Sequence, residues 1–387
     1  MHNATFFTSE RLEQFEKIDT PFYAYDLNLL SSTLQQLKKA AGNKYHVHYA
    51  LKANAHPLLL GKILDAGFGA DCVSGNEVQR ALDCGFKSKK IVFAGVGKSD
   101  KEINLALDAD IFCFNVESIA ELKVIHELAS QKNKIAKIAL RINPNVDAYT
   151  HKYITTGLEE NKFGINPYEF DEVLATLKSF SHVELIGLHF HIGSQIKDLN
   201  VFKNLCLKVN DINRWFLNKG SQIQHLNLGG GLGINYAEPD KQAIVNFDDF
   251  FKVFDSFLEV NTNQQIHFEL GRSIIAQCGH LISRVLYIKN GINTNFMILD
   301  AGMTELIRPA LYQAFHKIEN ISQYHQASNA KYDVVGPICE SSDCFGKAVL
   351  LPQSKRGDLI VIRSAGAYGE VMSNRYNLRD QVQSHFF

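Results

Sequence analysis

The residues with the clearest chemical capacity follow short apolar runs. Lys52 comes two residues after the run YHVHYA (45–50), and Glu269 lies in the run QIHFEL (265–270). Desolvation at the mouth of an apolar enclosure favours the neutral amine of a lysine, which can form a Schiff base with an aldehyde. The plain alternative for Lys52 is a head group that reaches solvent.

A second feature is the run of three glycines at 229–231, directly after the apolar run IQHLNL (223–228). Glycine allows the backbone N–H groups to approach an anion closely, and Ser194 and Arg272 could add further donors. Three glycines that only turn a loop are the alternative. A lysine opposite a phosphate site favours pyridoxal phosphate, which carries an aldehyde at one end and a phosphate at the other.

Pyridoxal phosphate requires two further groups, and the sequence has candidates for both. Glu269 could hold the pyridine nitrogen protonated, and one of His189 and His191, two apart on one strand, could pack on the ring. A zinc site at these histidines lacks a third ligand, and hydrogen-bonded core histidines are a further alternative. Asp71 and Arg141 either form a structural ion pair or position the lysine and the ring hydroxyl.

The elements that must position these residues are eight short apolar or β-branched runs that alternate with amphipathic stretches. They are YHVHYA (45–50), ADCV (70–73), IVFA (91–94), IFCFNV (111–116), KIALRI (137–142), VELIGLHFHI (183–192), IQHLNL (223–228) and QIHFEL (265–270). Eight parallel strands with intervening helices predict an α/β fold, a TIM-type (β/α)₈ barrel whose chemistry lies at the carboxyl ends of the strands.

Helical spacing supports the elements between the runs. Ile119, Leu122, Ile125 and Leu128 are three apart and predict one covering helix, and Pro167 is expected near the start of another. After Arg272 the pattern becomes strand-like and predicts a C-terminal β-rich domain of sandwich or barrel type. We therefore expect a barrel over residues 28–270 and a β-rich domain over 1–27 and 271–387.

Composition excludes several classes of protein. The chain has 387 residues, and its 40 basic side chains balance 41 acidic ones, so no general field favours nucleic acid or an anionic membrane. We find no signal peptide and no apolar stretch long enough to span a bilayer. The seven cysteines are scattered and form no C-x-x-C pair, which predicts a cytoplasmic chain without a metal site.

Seven motifs resemble those of the barrel-fold, alanine-racemase-like class of pyridoxal-phosphate amino acid decarboxylases, in family order and over nearly the whole chain. They are YALKAN (49–54), HFHIGSQ (189–195), NLGGGLGI (227–234), ELGR (269–272), DAGMTELIRPALY (300–312), GPICESSD (336–343) and GAYGEVMSNRYN (366–377). The match is strongest to the branch that converts meso-2,6-diaminopimelate to L-lysine. One departure is Leu270, where the family has proline, and we expect it to alter loop stiffness only.

The resemblance implies a role for each matching residue. Lys52 would be the Schiff-base lysine, Glu269 would contact the pyridine nitrogen and His191 would stack on the ring, while Asp71 and Arg141 would lie beside the cofactor. The phosphate would be held by Ser194, Gly230, Gly231 and Gly271. Substrate or cofactor would be held by Arg272, Arg308, Tyr312, Glu340 and Tyr368. Cys339 would donate the proton.

The resemblance also implies a homodimer in which Cys339 and Glu340 complete the active site of the other subunit. An arginine fork suits a substrate that keeps a distal carboxylate, which discriminates against ornithine. The alternatives are an ornithine-, arginine- or carboxynorspermidine-type decarboxylase, a racemase of the same class, and a non-catalytic pyridoxal-phosphate carrier.

Overall fold

The computed structural model describes residues 6–146 and 162–387, and it divides the chain into two compact units. The strands in these residues are β1 (Phe22–Tyr25), β2 (Tyr45–Ala50), β3 (Gly69–Cys72), β4 (Ile91–Phe93), β5 (Cys113–Val116), β6 (Ala136–Ile142), β7 (Val183–Phe190), β8 (His225–Asn227), β9 (Gln265–Leu270), β10 (Gly279–Asn290), β11 (Asn295–Leu299), β12 (Ile318–Asn320), β13 (Ala330–Val335), β14 (Cys344–Leu351), β15 (Leu359–Ile362) and β16 (Gln383–Phe386).

The α-helices in the same residues are mostly short and amphipathic. They are α1 (Ser9–Phe15), α2 (Leu27–Ala41), α3 (Pro57–Asp65), α4 (Gly75–Asp83), α5 (Asp100–Asp108), α6 (Ile119–Gln131), α7 (Phe170–Lys178), α8 (Leu199–Asn218), α9 (Phe247–Phe257), α10 (Arg272–Ile275) and α11 (Arg308–Tyr312). Within residues 6–146 and 162–387, no helix combines the length and the apolar character needed to cross a membrane.

One unit is a closed barrel of eight parallel strands, β2 to β9, which pair in chain order. Strand β9 returns to β2 with Tyr49 opposite Leu270, and this closes the barrel. Strand β6 shows the pattern of a parallel strand covered on both faces, since six of its seven residues are buried. The predicted TIM-type fold is confirmed, and each of the eight runs overlaps a strand.

The covering helices form where spacing and capping predict them. Helix α6 begins after Ser118, whose hydroxyl accepts a hydrogen bond from the backbone N–H of Glu121, and its predicted apolar stripe is buried. Pro167 opens a 3₁₀ turn rather than the helix itself, so α7 begins three residues later at Phe170. These helices shield the apolar outer faces of the strands.

Three histidines inside the barrel form a hydrogen-bonded row. His225 Nδ1 lies 3.1 Å from His267 Nε2, and His267 Nδ1 lies 3.0 Å from His48 Nε2. His48 Nδ1 lies 3.1 Å from the carbonyl oxygen of Lys90. Because a carbonyl only accepts, every bond can form only if all three rings carry a proton on Nδ1 and if His48 and His267 are neutral, with Nε2 as an acceptor. Burial, partly opposed by the charge of Glu269, lowers the pKa of His48 to about 4.

The other unit contains a mixed eight-stranded sheet, in which β12, β15, β10, β11, β13 and β14 lie side by side. The long strand β10 also pairs with the N-terminal strand β1, and β1 pairs in parallel with β16. Its apolar core is rich in phenylalanine, including Phe15 and Phe22, both fully buried. The predicted β-rich second region is therefore present, with a strand from each end of the described chain.

The boundaries between the units differ from those expected from sequence. The division falls after Thr33, and residues 234–245 group with the β-rich unit although they lie between β8 and α9 of the barrel. Polar contacts join the 234–245 segment to the β-rich unit. Arg363 pairs with Asp240, and the side-chain amide of Gln277 donates a hydrogen bond to the carbonyl oxygen of Gln242. Periodicity of apolar residues does not report such bonds.

Candidate active site

Lys52 lies in a 3₁₀ turn (Leu51–Ala53) at the carboxyl end of β2, as its place in the sequence predicts. Its Nζ atom lies 3.4 Å from Oδ2 of Asp71 on β3, and its side chain is 35% exposed. Burial, strengthened by the nearby Glu269 and opposed by Lys52, raises the pKa of Asp71 to about 8. Of the two sequence interpretations of Asp71, the structure favours the one in which it positions the lysine.

Glu269, near the end of β9, is held by three side chains from three other strands. Its Oε1 accepts hydrogen bonds from Asn115 Nδ2 at 2.9 Å and from Asn227 Nδ2 at 2.7 Å. Its Oε2 lies 2.8 Å from Nε2 of His189. A carboxylate has about four lone-pair sites, so this arrangement leaves room for one further donor.

The charge of Glu269 is stabilised in spite of its burial. Desolvation alone would raise its pKa, but the hydrogen bond and charge of His189, together with the ammonium of Lys52, hold the pKa well below its ordinary value. Glu269 is therefore an anion fixed in one orientation, as a partner for a protonated ring nitrogen must be.

His189 and His191 have different positions. His189 is buried at the end of β7 against Glu269, whereas His191 follows the strand and its Nδ1 accepts a hydrogen bond from the backbone N–H of Gly230 at 3.3 Å. Desolvation and the cations Lys52 and Arg141 lower the pKa of His191. A neutral, half-buried imidazole at this rim suits the flat contact expected of His191.

The glycines after β8 are required by close backbone contacts. A Cβ atom on Gly230 would lie 1.9 Å from the carbonyl oxygen of Glu269, and Gly231 has a φ of +102°. The same loop runs beside the loop that carries Ser194, since the N–H of Ile196 donates to the carbonyl of Gly231 at 2.9 Å. Ser194 and two of the predicted phosphate-binding glycines thus lie on adjacent loops.

Gly271 ends the barrel unit, and a Cβ there would come within 3.0 Å of Ala53 in the turn that carries Lys52. Leu270, which replaces the family proline, is buried at the end of β9. The backbone N–H of Glu269, one residue earlier, donates to the carbonyl of Gly229 at 2.7 Å. Close packing around Gly271 and this bond hold the end of the strand in place.

Arg141 on β6 pairs with Glu117 and Asp71 pairs with Lys52, so the structure does not show the ion pair between Asp71 and Arg141 that was one of the two alternatives for them. Glu117 also accepts backbone N–H bonds from Gly95 at 3.2 Å and Gly164 at 3.0 Å. The Arg141 guanidinium lies 4.7 Å from the ring centre of Phe163. Asp71 and Arg141 therefore belong to separate buried pairs, and Glu117 fixes the orientation of Arg141.

In the β-rich unit, Arg272 and Arg308 are brought together on one phenol oxygen. Arg272 Nη1 lies 2.6 Å and Arg308 Nη1 lies 3.0 Å from Oη of Tyr236. The Arg272 guanidinium lies 4.7 Å from the ring centre of Tyr368. Tyr312, the last residue of α11, is half-buried. All five residues predicted to hold substrate or cofactor thus belong to this unit, and four of them lie in or beside one cationic group.

The fifth, Glu340, lies with Cys339 in an exposed loop between β13 and β14. Its Oε1 accepts a hydrogen bond from the hydroxyl of Tyr376 at 2.8 Å. Asp343 braces the same loop, since its carboxylate accepts from the backbone N–H of Ile338 at 2.7 Å. An exposed thiol and carboxylate are therefore held on an ordered turn.

Several contributing residues were missed by sequence reasoning. Asn115, Asn227 and Glu117 follow the same rule as the predicted ones, since each lies at or just beyond the carboxyl end of a barrel strand. Applying that rule to all eight strands would have found them. Tyr236 and His316 carry no such signal because neither lies at the end of a barrel strand, and Tyr236 bonds Arg308 while His316 bonds the carbonyl of Arg363, both far away in the sequence.

The residues present in the barrel fit pyridoxal phosphate. Lys52 supplies an amine, Glu269 an oriented anion and His191 a neutral ring. Among the described residues, the buried Oδ1 of Asp71 has no hydrogen-bond partner, which marks a place for a donor from outside the chain. Within residues 6–146 and 162–387, no group of three or more His, Cys, Asp or Glu side chains is arranged to hold a metal ion.

Comparison with known proteins gives a consistent result. Residues 27–276 match the family model described as pyridoxal-dependent decarboxylase, pyridoxal binding domain. The chain is 53% identical over 371 residues to a diaminopimelate decarboxylase of Bacteroides thetaiotaomicron, covering 95% of this chain and 96% of that one. A diaminopimelate decarboxylase of Aquifex aeolicus is 38% identical over 370 residues, with 96% and 87% covered.

A solved structure extends the similarity to three dimensions. The crystal structure of diaminopimelate decarboxylase from Helicobacter pylori complexed with L-lysine superposes with a TM-score of 0.91 at 41% identity. The match covers 97% of this chain and 93% of that one. The likeness therefore includes both compact units.

Proposed function

The chain belongs to the pyridoxal-dependent decarboxylase family, and on that premise we propose that it converts meso-2,6-diaminopimelate to L-lysine and carbon dioxide. It is then a carboxy-lyase that performs the last step of lysine biosynthesis by the diaminopimelate route. The observation that carries the choice of substrate is the buried pair Arg272 and Arg308 on Tyr236. A substrate that keeps a distal carboxylate uses such a pair, and ornithine does not.

Pyridoxal phosphate, when bound, supplies an electron sink for the pair of electrons left behind by carbon dioxide. Lys52 would bind its aldehyde, Glu269 would bind its ring nitrogen and His191 would pack on its ring. Asp71 and Arg141 would lie beside these groups, and the phosphate would be held by Ser194, Gly230, Gly231 and Gly271.

The chain's own residues prepare this chemistry before substrate arrives. Glu269 stays ionised and would keep a proton on the ring nitrogen, and His189 with two asparagines fixes the orientation of its carboxylate. Asp71 holds the amine of Lys52 near the end of β2. Since these groups are already in place, little reorganisation is needed in the reaction.

Substrate orientation is the work of the β-rich unit. Arg272 and Arg308 bind the carboxylate that is kept, and Glu340 binds the distal ammonium, with Tyr312 and Tyr368 completing the contacts. The carboxylate to be lost needs no cation, because pairing would stabilise the ground state. After carbon dioxide leaves, the α-carbon takes a proton from the thiol of Cys339.

Cys339 and Glu340 act, in this proposal, on the active site of the partner subunit of a homodimer. Both are exposed, and Glu340 is held by Tyr376. The nearby Leu378 has a side chain that is 95% exposed, and covering it would bury apolar surface. The seven free cysteines support a reducing, cytoplasmic location.

The test is the release of carbon dioxide by the purified holoenzyme. Diaminopimelate, ornithine and arginine are assayed in parallel, and lysine is identified as the product. We expect turnover of diaminopimelate alone. Equal or faster release from ornithine or arginine would contradict the proposal, and recovery of an enantiomer without carbon dioxide would indicate a racemase.

A further inference from the structure

One phenol oxygen joins two buried guanidinium groups in the β-rich unit. Tyr236 lies in the 234–245 segment, and its Oη accepts from Arg272 Nη1 at 2.6 Å and Arg308 Nη1 at 3.0 Å. All three side chains are at least nine-tenths buried. Because both arginines bond the same atom, that atom fixes the spacing between them.

A second neutral group holds Arg308 from another direction. Arg308 Nη1 lies 2.8 Å from Nε2 of His316, whose Nδ1 lies 2.9 Å from the carbonyl oxygen of Arg363. That carbonyl requires the proton on Nδ1, which leaves Nε2 as the acceptor. Burial and the charge of Arg308 lower the pKa of His316 to about 3, so the ring is neutral at physiological pH.

The choice of acceptors has an electrostatic consequence. A carboxylate in the place of the phenol would also orient Arg272 and Arg308, but it would cancel one positive charge. Burial opposes ionisation of Tyr236, but the charges and hydrogen bonds of Arg272 and Arg308 outweigh it and lower the pKa of the phenol. A phenol is still a much weaker acid than a carboxylate, so the phenol and the imidazole orient both groups and leave their charges available. Burial and the positive charge of Arg272 both disfavour the charged form of Arg308 and lower its pKa. A bound anion would offset the lost hydration and the repulsion between the two guanidinium groups.

We propose that Tyr236 is a positioning residue that holds Arg272 and Arg308 as a paired clamp for the carboxylate that the substrate keeps. His316 completes the clamp by orienting Arg308 from its other side. This inference rests on the proposed function, since it takes the ligand of the clamp to be that carboxylate. The chemistry of the clamp itself requires only a carboxylate on a diamine chain.

Two probes separate this role from a structural one. L-Lysine carries the carboxylate, and 1,5-diaminopentane has the same chain and both amines without it. Each is titrated into the holoenzyme by calorimetry, with wild type and Tyr236→Phe compared. We expect the Kd for lysine to rise about tenfold, as for loss of one charge-assisted hydrogen bond, and the Kd for diaminopentane to stay unchanged.

Kinetics give a second readout of the same variant. The KM for diaminopimelate should rise about tenfold while kcat changes little, because the lost contact holds ground state and transition state alike. Cofactor absorbance should be unchanged. An equal loss of affinity for lysine and diaminopentane, or unchanged lysine binding, would overturn the proposal.

A matched control is Tyr332→Phe. Tyr332 is buried in the same unit, and its oxygen accepts a hydrogen bond from the backbone N–H of Ser354 at 3.2 Å. Its loss should lower the unfolding midpoint but leave the ratio of the two dissociation constants as in wild type. If Tyr332→Phe changes this ratio as much as Tyr236→Phe does, the weaker lysine binding of Tyr236→Phe results from general loosening of the unit and not from loss of the clamp.

Variants of His316 keep the proposal testable if Tyr236→Phe fails to fold. His316→Gln retains a neutral acceptor for Arg308 and should preserve selective lysine binding, whereas His316→Leu should weaken it. Identical behaviour of the two would contradict the clamp. If wild type binds lysine more tightly than diaminopentane yet releases no carbon dioxide from diaminopimelate, the proposed function fails and the clamp stands.

Discussion

The Nε2 atom of His189 lies 2.8 Å from Oε2 of Glu269, and this bond joins the ends of β7 and β9. It makes His189 part of the support of the anion rather than a ring that packs on the cofactor. The neighbouring His191, two residues later, remains for that contact. The spacing of two residues predicts that both histidines lie on one face of a strand. Strand β7 ends at Phe190, so His191 lies beyond it and can take a different role from His189.

His189→Leu should move the acidic limb of the kcat–pH profile upward. In wild type the pKa of Glu269 is held below its ordinary value, so its protonation affects activity only at a pH below the ordinary range of a glutamate. Replacing His189 removes the largest influence that lowers the pKa of Glu269. The pKa of Glu269 therefore rises, and kcat begins to fall at a higher pH. The control is His182→Leu, at a ring that bonds the carbonyl of Lys134. An unmoved acidic limb would contradict the assignment.

Lys52→Ala should abolish turnover and the visible absorbance of bound cofactor. The expected loss of kcat is at least about a thousandfold, as for removal of a covalent catalytic group. Lys62→Ala, at an exposed lysine of α3, should leave both unchanged. If Lys52→Ala retains absorbance and turnover, the amine that binds the cofactor must be sought elsewhere.

Cys339→Ala should lower kcat more than it changes KM, and mixing it with Lys52→Ala should restore activity. In a 1:1 mixture of subunits that exchange at random, half the dimers are mixed and each has one intact site, so about a quarter of wild-type activity is expected. The measurement is carbon dioxide release after refolding the variants together. Cys84→Ala is the control thiol, and absence of recovery would place Cys339 in its own subunit's site.

The row of histidines predicts a loss of stability in mild acid. The pKa of His48 falls from about 6.5 in an unfolded chain to about 4 in the folded one, so the unfolded state binds more protons between these values. Stability is therefore full above about pH 6.5 and declines as pH falls, by up to about 3 kcal/mol from this residue.

Urea unfolding between pH 4.5 and 7 measures this effect. His48→Gln should make the midpoint depend less on pH, and the exposed His325→Gln should not. If His48→Gln keeps the wild-type slope, the acid sensitivity arises from other groups.

Sequence predicted the barrel because parallel strands covered on both faces leave a strong apolar signal, as in β6 and β9. It also placed Lys52 and Glu269, since a residue at a strand end is fixed by one local element. It could not place Glu117 beside Arg141 or Tyr236 beside Arg308, because those contacts depend on how distant segments meet. For the same reason the sequence left open whether Arg141 pairs with Asp71, and the structure gives Glu117 as its partner.

The route of the chain limits how this enzyme can be divided. The polypeptide passes between the two units four times, after residues 33, 233, 245 and 271. A fragment cut at residue 271 would keep Tyr236 and Asp240 without the arginines they bind. Exchange of the β-rich region between relatives must therefore carry the twelve residues 234–245 with it, and a simple fusion at one junction would produce a mismatched hybrid.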